Sequence, residues 1–186
     1  MTKAKLNVKE ARIFITNQRE GGKSDEEIYS ELKSQYLDPE KLSNLISNTV
    51  TQENKEQYEL YNSTLLVLIG IAILVKLVTF YNFAMNEGTS GVIIFIVLVP
   101  IIFLYFLYEI YNYRGNAYRL LGAYCILVVL QSFLKVENIY DAIIYIGLYG
   151  TISGFSFYLD KYMFPKFSPQ NIEEISDDEV DSMENN

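Results

Sequence analysis

Residues 63–83 read STLLVLIGIAILVKLVTFYNF, a stretch of 21 residues in which Lys76 is the one charged side chain. A helix needs about 20 predominantly apolar residues to cross the hydrocarbon core of a bilayer. Three more stretches of similar length and composition follow, at 91–111, 116–134 and 139–159. Because backbone amides in lipid need hydrogen-bond partners within the chain, each stretch is predicted to be a transmembrane helix.

The links between these stretches are short, at 84–90, 112–115 and 135–138. Short links place consecutive helices side by side in opposite directions. The sequence therefore predicts an all-α membrane protein whose four transmembrane helices form an up-down-up-down bundle. The third stretch carries Arg119 and Gln131 near its ends and matches a span least well.

Composition divides the chain into a polar region (1–62), an apolar region (63–164) and an acidic tail (165–186). Seven acidic residues and no Lys or Arg lie between residues 168 and 186. A segment with so little to bury is expected to be disordered.

The polar region is predicted to be a small cytosolic unit of three helices, with residues 51–61 continuing as a helix into the first span. The helix starts are marked by Asn7, by Ser24 with Glu27, and by Asp38 before Pro39. Apolar residues recur at helical spacing after each start. They are Val8, Ala11, Phe14, Ile15, Ile28, Tyr29, Leu32, Tyr36, Leu42, Leu45, Ile46 and Val50.

The basic residues predict the orientation. Nine lie in residues 1–62, two more are Arg114 and Arg119, and two follow the last span at Lys161 and Lys166. Only Lys135 lies at the opposite side of the predicted spans. Since Lys and Arg concentrate in cytoplasmic loops, both termini are predicted to be cytoplasmic in a multi-pass integral membrane protein.

The composition also limits the chemistry. The chain has no His and one Cys, Cys125, so it has neither a Cys/His zinc site nor a His-based acid or base within one chain. It has no Gly-rich phosphate loop. We therefore expect no catalytic residues, metal or cofactor. An intramembrane enzyme would have to use Lys76, Asp141 and Tyr140 or Tyr145 for proton transfer, and these are too few for a mechanism. In residues 1–62 Asp and Glu outnumber Lys and Arg by 11 to 9, which disfavours nucleic acid as a partner.

Lys76 is the leading candidate for a functional residue in the membrane. A charged side chain at such depth is costly and usually has a partner or faces water. Asp141 enters the fourth span near the same predicted outer end, so a Lys76–Asp141 pair is one hypothesis. The alternative is that Lys76 extends to the outer interface alone.

Three other polar or structural positions stand out in the spans. Glu109 lies near Arg114 and Arg119, where an interfacial salt bridge or a gate could form. Pro100 lies in the middle of the second span, where a missing amide donor predicts a kink. Gln131 is a further polar candidate near the end of the third span.

The fourth span carries Gly147, Gly150 and Gly154. Small residues at this spacing allow helix backbones to approach closely. The close approach could occur within the bundle or in the seam of a homo-oligomer.

These features favour a non-enzymatic membrane module, in which a cytosolic helical head for sensing or interaction is joined to a self-associating anchor. Its expected partners are the lipid bilayer, a second copy, and a cytosolic protein that binds residues 1–62 or the tail. The basic first helix could instead lie on anionic lipid. The alternative function is an oligomeric ion channel, pore or small transporter lined by Lys76, Thr79, Gln131 and Ser132.

Overall fold

The computed structural model confirms the all-helical prediction. Its described part contains seven α-helices and no β-strand. They are α1 (Val8–Glu20), α2 (Asp25–Lys33), α3 (Pro39–Ser47), α4 (Gln52–Glu87), α5 (Val92–Tyr111), α6 (Gly115–Leu134) and α7 (Ile139–Met163). The structure describes residues 7–33, 39–87, 92–134, 139–164 and 166–167, without the side chains of 39, 80, 82–87, 92–100, 133–134 and 139–142.

The chain divides into two compact units. The head contains the chain up to Glu53 together with the residues from Phe164 onward, and the four-helix unit contains Asn54–Met163. Composition predicts the boundary at residue 62, but the structure has it earlier in the chain. The reason is that α4 is one continuous helix from Gln52, so it includes the polar residues that precede the first apolar stretch.

Reciprocal hydrogen bonds begin the first two helices of the head. The Asn7 side chain accepts from the Glu10 amide at 2.9 Å, and the Glu10 carboxylate accepts from the Asn7 amide at 3.0 Å. Ser24 and Glu27 make the same exchange at 3.3 and 3.0 Å. These capping boxes confirm both predicted helix starts. Asp38, the predicted cap of α3, lies outside the described residues.

The core of the head consists largely of the apolar residues that recur at helical spacing in the sequence. Val8 is an exception because 57% of its surface is exposed, and Tyr36 lies outside the described residues. Val50 is half-buried. The buried cluster comprises Ala11, Ile15, Ile28, Tyr29, Leu32, Leu42, Leu45 and Ile46.

One residue from the far end of the sequence belongs to this unit. The Phe167 ring packs against the head core and lies 5.4 Å from the Tyr29 ring, centroid to centroid. Ser43 and Ser47 hydrogen-bond its backbone. Lys166 and Phe167 are the described residues of the predicted tail.

In the four-helix unit, α4 and α7 run in opposite directions. At one end the Asn54 side chain donates to the Met163 carbonyl at 2.9 Å. Toward the other end the Thr79 hydroxyl lies 3.0 Å from the Tyr145 hydroxyl. These pairs join the start of one helix to the end of the other.

A tight turn reverses the chain between α5 and α6. The Tyr113 amide donates to the Ile110 carbonyl at 2.9 Å, and the Arg114 amide donates to the Glu109 carbonyl at 3.1 Å. Tyr113 has a φ of 53°, the left-handed conformation that this helix ending requires and that glycine usually supplies. Its ring lies 5.2 Å from the Lys55 ammonium, measured to the centroid.

By length and composition, one helix in the described part of the chain could cross a membrane, and it covers Gln52–Thr79. In α5 the described side chains include only the shorter apolar stretch Ile101–Tyr111. Polar residues such as Arg119 and Gln131 lower the mean hydropathy of α6.

Large aliphatic side chains nevertheless cover the outside of all four helices of this unit. Its interior also holds polar residues, including Asn62, Glu109, Ser153 and Ser156. The exposed aliphatic residues include Val67, Ile71, Leu74 and Val78 of α4, Ile101 and Leu104 of α5, Leu120, Leu127 and Leu130 of α6, and Ile143 and Ile144 of α7.

Candidate functional site

Lys76 lies against two tyrosine rings of α7. Its ammonium is 4.7 Å from the centroid of the Tyr145 ring and 5.5 Å from that of Tyr149. The two tyrosines are four residues apart, so they share a helix face, and their rings stack at 5.7 Å with an angle of 8° between planes. The negative faces of aromatic rings attract a cation, so this pair offers Lys76 a partner without a formal charge.

Thr79 extends this site by one turn of α4. Its hydroxyl donates its single proton to the Val75 carbonyl at 2.9 Å. The hydroxyl of Tyr145 must therefore be the donor in the 3.0 Å contact with Thr79. This bond orients the Tyr145 ring beneath the Lys76 ammonium, and Thr79 thereby positions the site.

The hydroxyl of Tyr149 is buried and has no hydrogen-bond partner among the described residues. Asp141 precedes Tyr145 by one turn of α7 and belongs to the same helical stripe as the two tyrosines. Its side chain lies outside the described set. The Lys76–Asp141 pair therefore stays a prediction. Of the two rings that contact Lys76, Tyr145 was named from the sequence only as a possible neighbour, and Tyr149 was not named.

At the opposite end of the four-helix unit, Glu109 was predicted to lie near both Arg114 and Arg119. In the structure the two arginines belong to separate ion pairs. Glu109 is buried and contacts Arg114, with 2.6 Å between carboxylate and guanidinium. Arg119 instead binds both carboxylate oxygens of Asp160 on α7, at 2.8 and 2.9 Å. Arg119 thus joins α6 to α7. Asp160 gave no signal in the sequence because it lies just beyond the predicted fourth span.

A buried hydrogen bond in the same region was also missed. The Tyr118 hydroxyl donates to the Asn62 side-chain oxygen at 2.6 Å, and both residues are almost fully buried. It joins α4 to α6. The two residues are 56 positions apart, so no local pattern in the sequence pairs them.

The three predicted packing glycines have open surroundings. A Cβ atom added at Gly147, Gly150 or Gly154 would meet no described atom within 4 Å. The close approach occurs at Gly122 of α6, where an added Cβ would lie 2.9 Å from the Phe157 ring. A seam between two copies along the open glycines stays a prediction.

Gln131 is exposed on α6, and α5 continues through Pro100 without ending there. The predicted kink at Pro100 falls where side chains are outside the described set. Neither residue is joined to the Lys76 site by a described contact. Ser132, another predicted pore-lining residue, donates to the Val128 carbonyl of its own helix at 2.9 Å.

The head has a polar network built around Arg19. The Arg19 guanidinium binds both carboxylate oxygens of Asp25 at 2.8 and 3.0 Å. It also donates to the carbonyls of Ile46 and Thr49, at 3.0 and 2.5 Å. A cavity of about 380 Å³ lies beside it. Since carbonyls at a helix C-terminus need donors, Arg19 caps α3 while joining it to α1 and α2.

Chemically, these sites hold and orient helices. Across the described residues, no group of three or more His, Cys, Asp or Glu could hold a metal ion. No protein-family model, curated protein or solved structure matches the chain.

Proposed function

We propose that this protein is an integral membrane protein that crosses the bilayer four times, and that it acts as a non-enzymatic, membrane-anchored interaction module. The observation that carries the proposal is the aliphatic surface on the outside of α4, α5, α6 and α7. Proteins in water rarely expose contiguous apolar surface beyond a few hundred Å². Lipid is the solvent that suits such a surface on four helices at once.

The head supports an even number of crossings. The chain leaves the head after Glu53 and belongs to it again from Phe164. One compact unit contains the residues before and after the four-helix unit, which supports a topology with both on the same side of a bilayer. A single crossing by α4 would separate them. All the Lys and Arg residues outside the predicted spans except Lys135 lie on the side of the head, and this distribution favours the cytoplasmic side.

The polar residues inside the four-helix unit support an anchor that is rigid. Tyr118 and Asn62 satisfy each other, and the Ser153 hydroxyl donates to the Gly122 carbonyl at 3.0 Å. Polar side chains that bond across helices stabilise helix association in lipid. In this reading the anchor holds the head at the membrane, and the head meets the cytosolic partner.

Cysteine accessibility tests the topology. Cys125 is buried and is the single cysteine of the chain, so Cys125→Ala gives a cysteine-free parent. Single cysteines are then introduced as Ser90→Cys and Asn138→Cys in the first and third links. We expect a membrane-impermeant maleimide to label both in intact cells.

The matched inner positions are Glu20→Cys in the head, Asn112→Cys in the α5–α6 turn and Ser182→Cys in the tail. We expect these to be labelled only after the membrane is permeabilised. Labelling of Glu20→Cys and Ser182→Cys from opposite sides would contradict an even number of spans. Release of the protein by alkaline carbonate would contradict membrane insertion altogether.

The second candidate function is an ion channel, pore or small transporter formed between subunits. Thr79 and Gln131 are exposed in one chain, which leaves them available to face another copy. Flux of ions through liposomes that contain the purified protein, lost in Lys76→Met, would support it. A monomeric native mass in detergent and silent liposomes would contradict it.

A further inference from the structure

Phe167 binds the head through both its backbone and its ring. The Ser47 hydroxyl accepts from the Phe167 amide at 3.3 Å and donates to its carbonyl at 3.1 Å. The Ser43 hydroxyl gives the same carbonyl a longer contact of 3.4 Å. The ring lies tilted against Tyr29, with 5.4 Å between centroids. We name the surface formed by Tyr29, Ser43 and Ser47 the α2–α3 groove.

The positions of the groove residues suit recognition of a peptide backbone. Ser43 and Ser47 are one helical turn apart on α3, so their hydroxyls point toward the same place. A hydroxyl can donate and accept at once, which lets Ser47 satisfy the amide and the carbonyl of one residue. Peptide-binding domains commonly combine main-chain hydrogen bonds with a pocket for one side chain.

We propose that the α2–α3 groove is a binding site for a short non-helical peptide that carries an aromatic residue, and that the chain's own Phe167 occupies it in cis. The groove is then closed to other peptides while Phe167 is in place. Release of Phe167 exposes the site to an aromatic segment of the cytosolic partner. The groove and its occupation by Phe167 depend on the head alone and hold for any number of membrane crossings, whereas the cytosolic partner rests on the proposed function.

The contacts of Phe167 fit a ligand that can leave. The core residues Ala11, Ile15, Leu42 and Ile46 are fully buried, whereas Phe167 is only half-buried and packs on the edge of their cluster. Its backbone is held by two serine hydroxyls and its ring contacts the core at Tyr29. What holds it is mainly its attachment to the same chain, because a tethered ligand has an effective concentration of the order of millimolar.

Competition with a free peptide tests the site. The probe is a fluorescein-labelled peptide of residues 164–171, FPKFSPQN, added to the full chain in lipid nanodiscs and followed by fluorescence anisotropy. We expect Phe167→Ala to bind the peptide at least about tenfold more tightly than the wild type, because the tethered competitor is weakened. Lys166→Ala, a change at the exposed neighbouring residue, should bind it as the wild type does.

Two further changes assign the contacts. Adding Ser47→Ala to Phe167→Ala should lower peptide affinity, and a peptide with alanine in place of Phe167 should not bind. Hydrogen exchange of the α1–α3 amides checks that the head stays folded. If Phe167→Ala unfolds it, Phe167→Leu keeps an apolar side chain in place and should still bind the peptide more tightly than the wild type.

Equal peptide binding by the wild type and the Phe167 variants would overturn the proposal. So would an absence of binding to every variant whose head is folded. A wild-type dimer that dissociates on Phe167→Ala would show that a second copy supplies the segment, and this would overturn the assignment in cis.

Discussion

The head and the four-helix unit distribute their apolar and polar side chains in opposite ways. In the head, apolar side chains form the centre, and polar residues such as Arg19 and Ser24 hydrogen-bond the backbone groups at helix ends around it. In the four-helix unit, Leu, Ile and Val cover the outside, while Asn62, Tyr118 and Ser153 hydrogen-bond inside. The proposal that water surrounds the head and lipid surrounds the four-helix unit accounts for this contrast, and variants at matched positions of the two units test it.

The largest effect is expected at Arg19 in the head. Its side chain is only 9% exposed and it pairs with Asp25, 20% exposed, so Arg19→Met leaves a half-buried carboxylate and two carbonyls without their donor. We expect a loss of about 3 kcal/mol in the stability of the head. Hydrogen exchange of the α1–α3 amides measures it.

The Lys23–Glu31 pair of the same unit is the control, since its side chains are 38% and 41% exposed. Lys23→Met should cost less than about 1 kcal/mol, because water screens an exposed pair. Equal losses at Arg19 and Lys23 would refute the view that Arg19 holds the head together.

The next effect concerns the polar interior of the four-helix unit. Tyr118→Phe removes the donor to Asn62 and leaves a buried amide oxygen without it. We expect a loss of about 1.5 kcal/mol, measured by detergent-induced unfolding in mixed micelles. Tyr111→Phe, the same change at an exposed tyrosine, should have no effect. A stability unchanged by Tyr118→Phe would show that the interior bond is dispensable.

A pair of isoleucines compares the two solvents directly. Ile13 in the head is 52% exposed and Ile101 on α5 is 55% exposed. Ile101→Ser should cost about 1 kcal/mol if lipid surrounds it, because a polar side chain at the middle of a span is unfavourable. Ile13→Ser should be neutral within about 0.5 kcal/mol. Thermal unfolding in nanodiscs measures both, and equal neutrality would argue against lipid contact at Ile101.

The Lys76 site should show a measurable but smaller coupling. A double-mutant cycle of Lys76→Met and Tyr145→Leu isolates the contact between the ammonium and the ring. We expect a coupling energy of about 0.8 kcal/mol. The parallel cycle of Lys76→Met with Asp141→Asn tests the predicted ion pair. Additive effects of Lys76→Met and Tyr145→Leu would show that Lys76 is not coupled to the Tyr145 ring. Additive effects of Lys76→Met and Asp141→Asn would contradict the predicted ion pair.

The smallest effect is expected at the glycines. Alanine at Gly122 would place its Cβ atom 2.9 Å from the Phe157 ring, whereas alanine at Gly154 would meet no described atom. Replacing glycine by alanine raises helix propensity equally at both positions, so the difference in stability between the two variants measures the crowding at Gly122. We expect Gly122→Ala to be the less stable by about 0.5 kcal/mol, because the partly exposed Phe157 ring can move aside. A larger loss at Gly154 would place a second copy on that face.

Much of the fold could be predicted from the sequence because its causes are local. The capping boxes at Asn7 and Ser24 involve residues three apart, and both helix starts were correct. The four apolar stretches each coincide with one helix. That they cross a bilayer stays a proposal, since one helix in the described part of the chain meets the length and hydropathy of a span.

The candidate site was predicted less well because it depends on contacts between distant residues. Lys76 was identified by its unusual place in an apolar stretch, but its tyrosine contacts depend on how α4 and α7 rotate against each other. For the same reason Arg119 meets Asp160 rather than Glu109. Gly122 became the crowded glycine, although three others had the expected spacing.

The amino-acid order alone determined which residues form helices, where the first helices begin and which faces of the head are buried. Periodicity and capping act within a few residues, so they can be read without a fold. Only the tertiary structure decided which side chains meet, including the return of Phe167 to Ser47 across 120 residues of sequence. Such contacts depend on the rotation and register of whole helices, and these are set by packing over the entire helix surface.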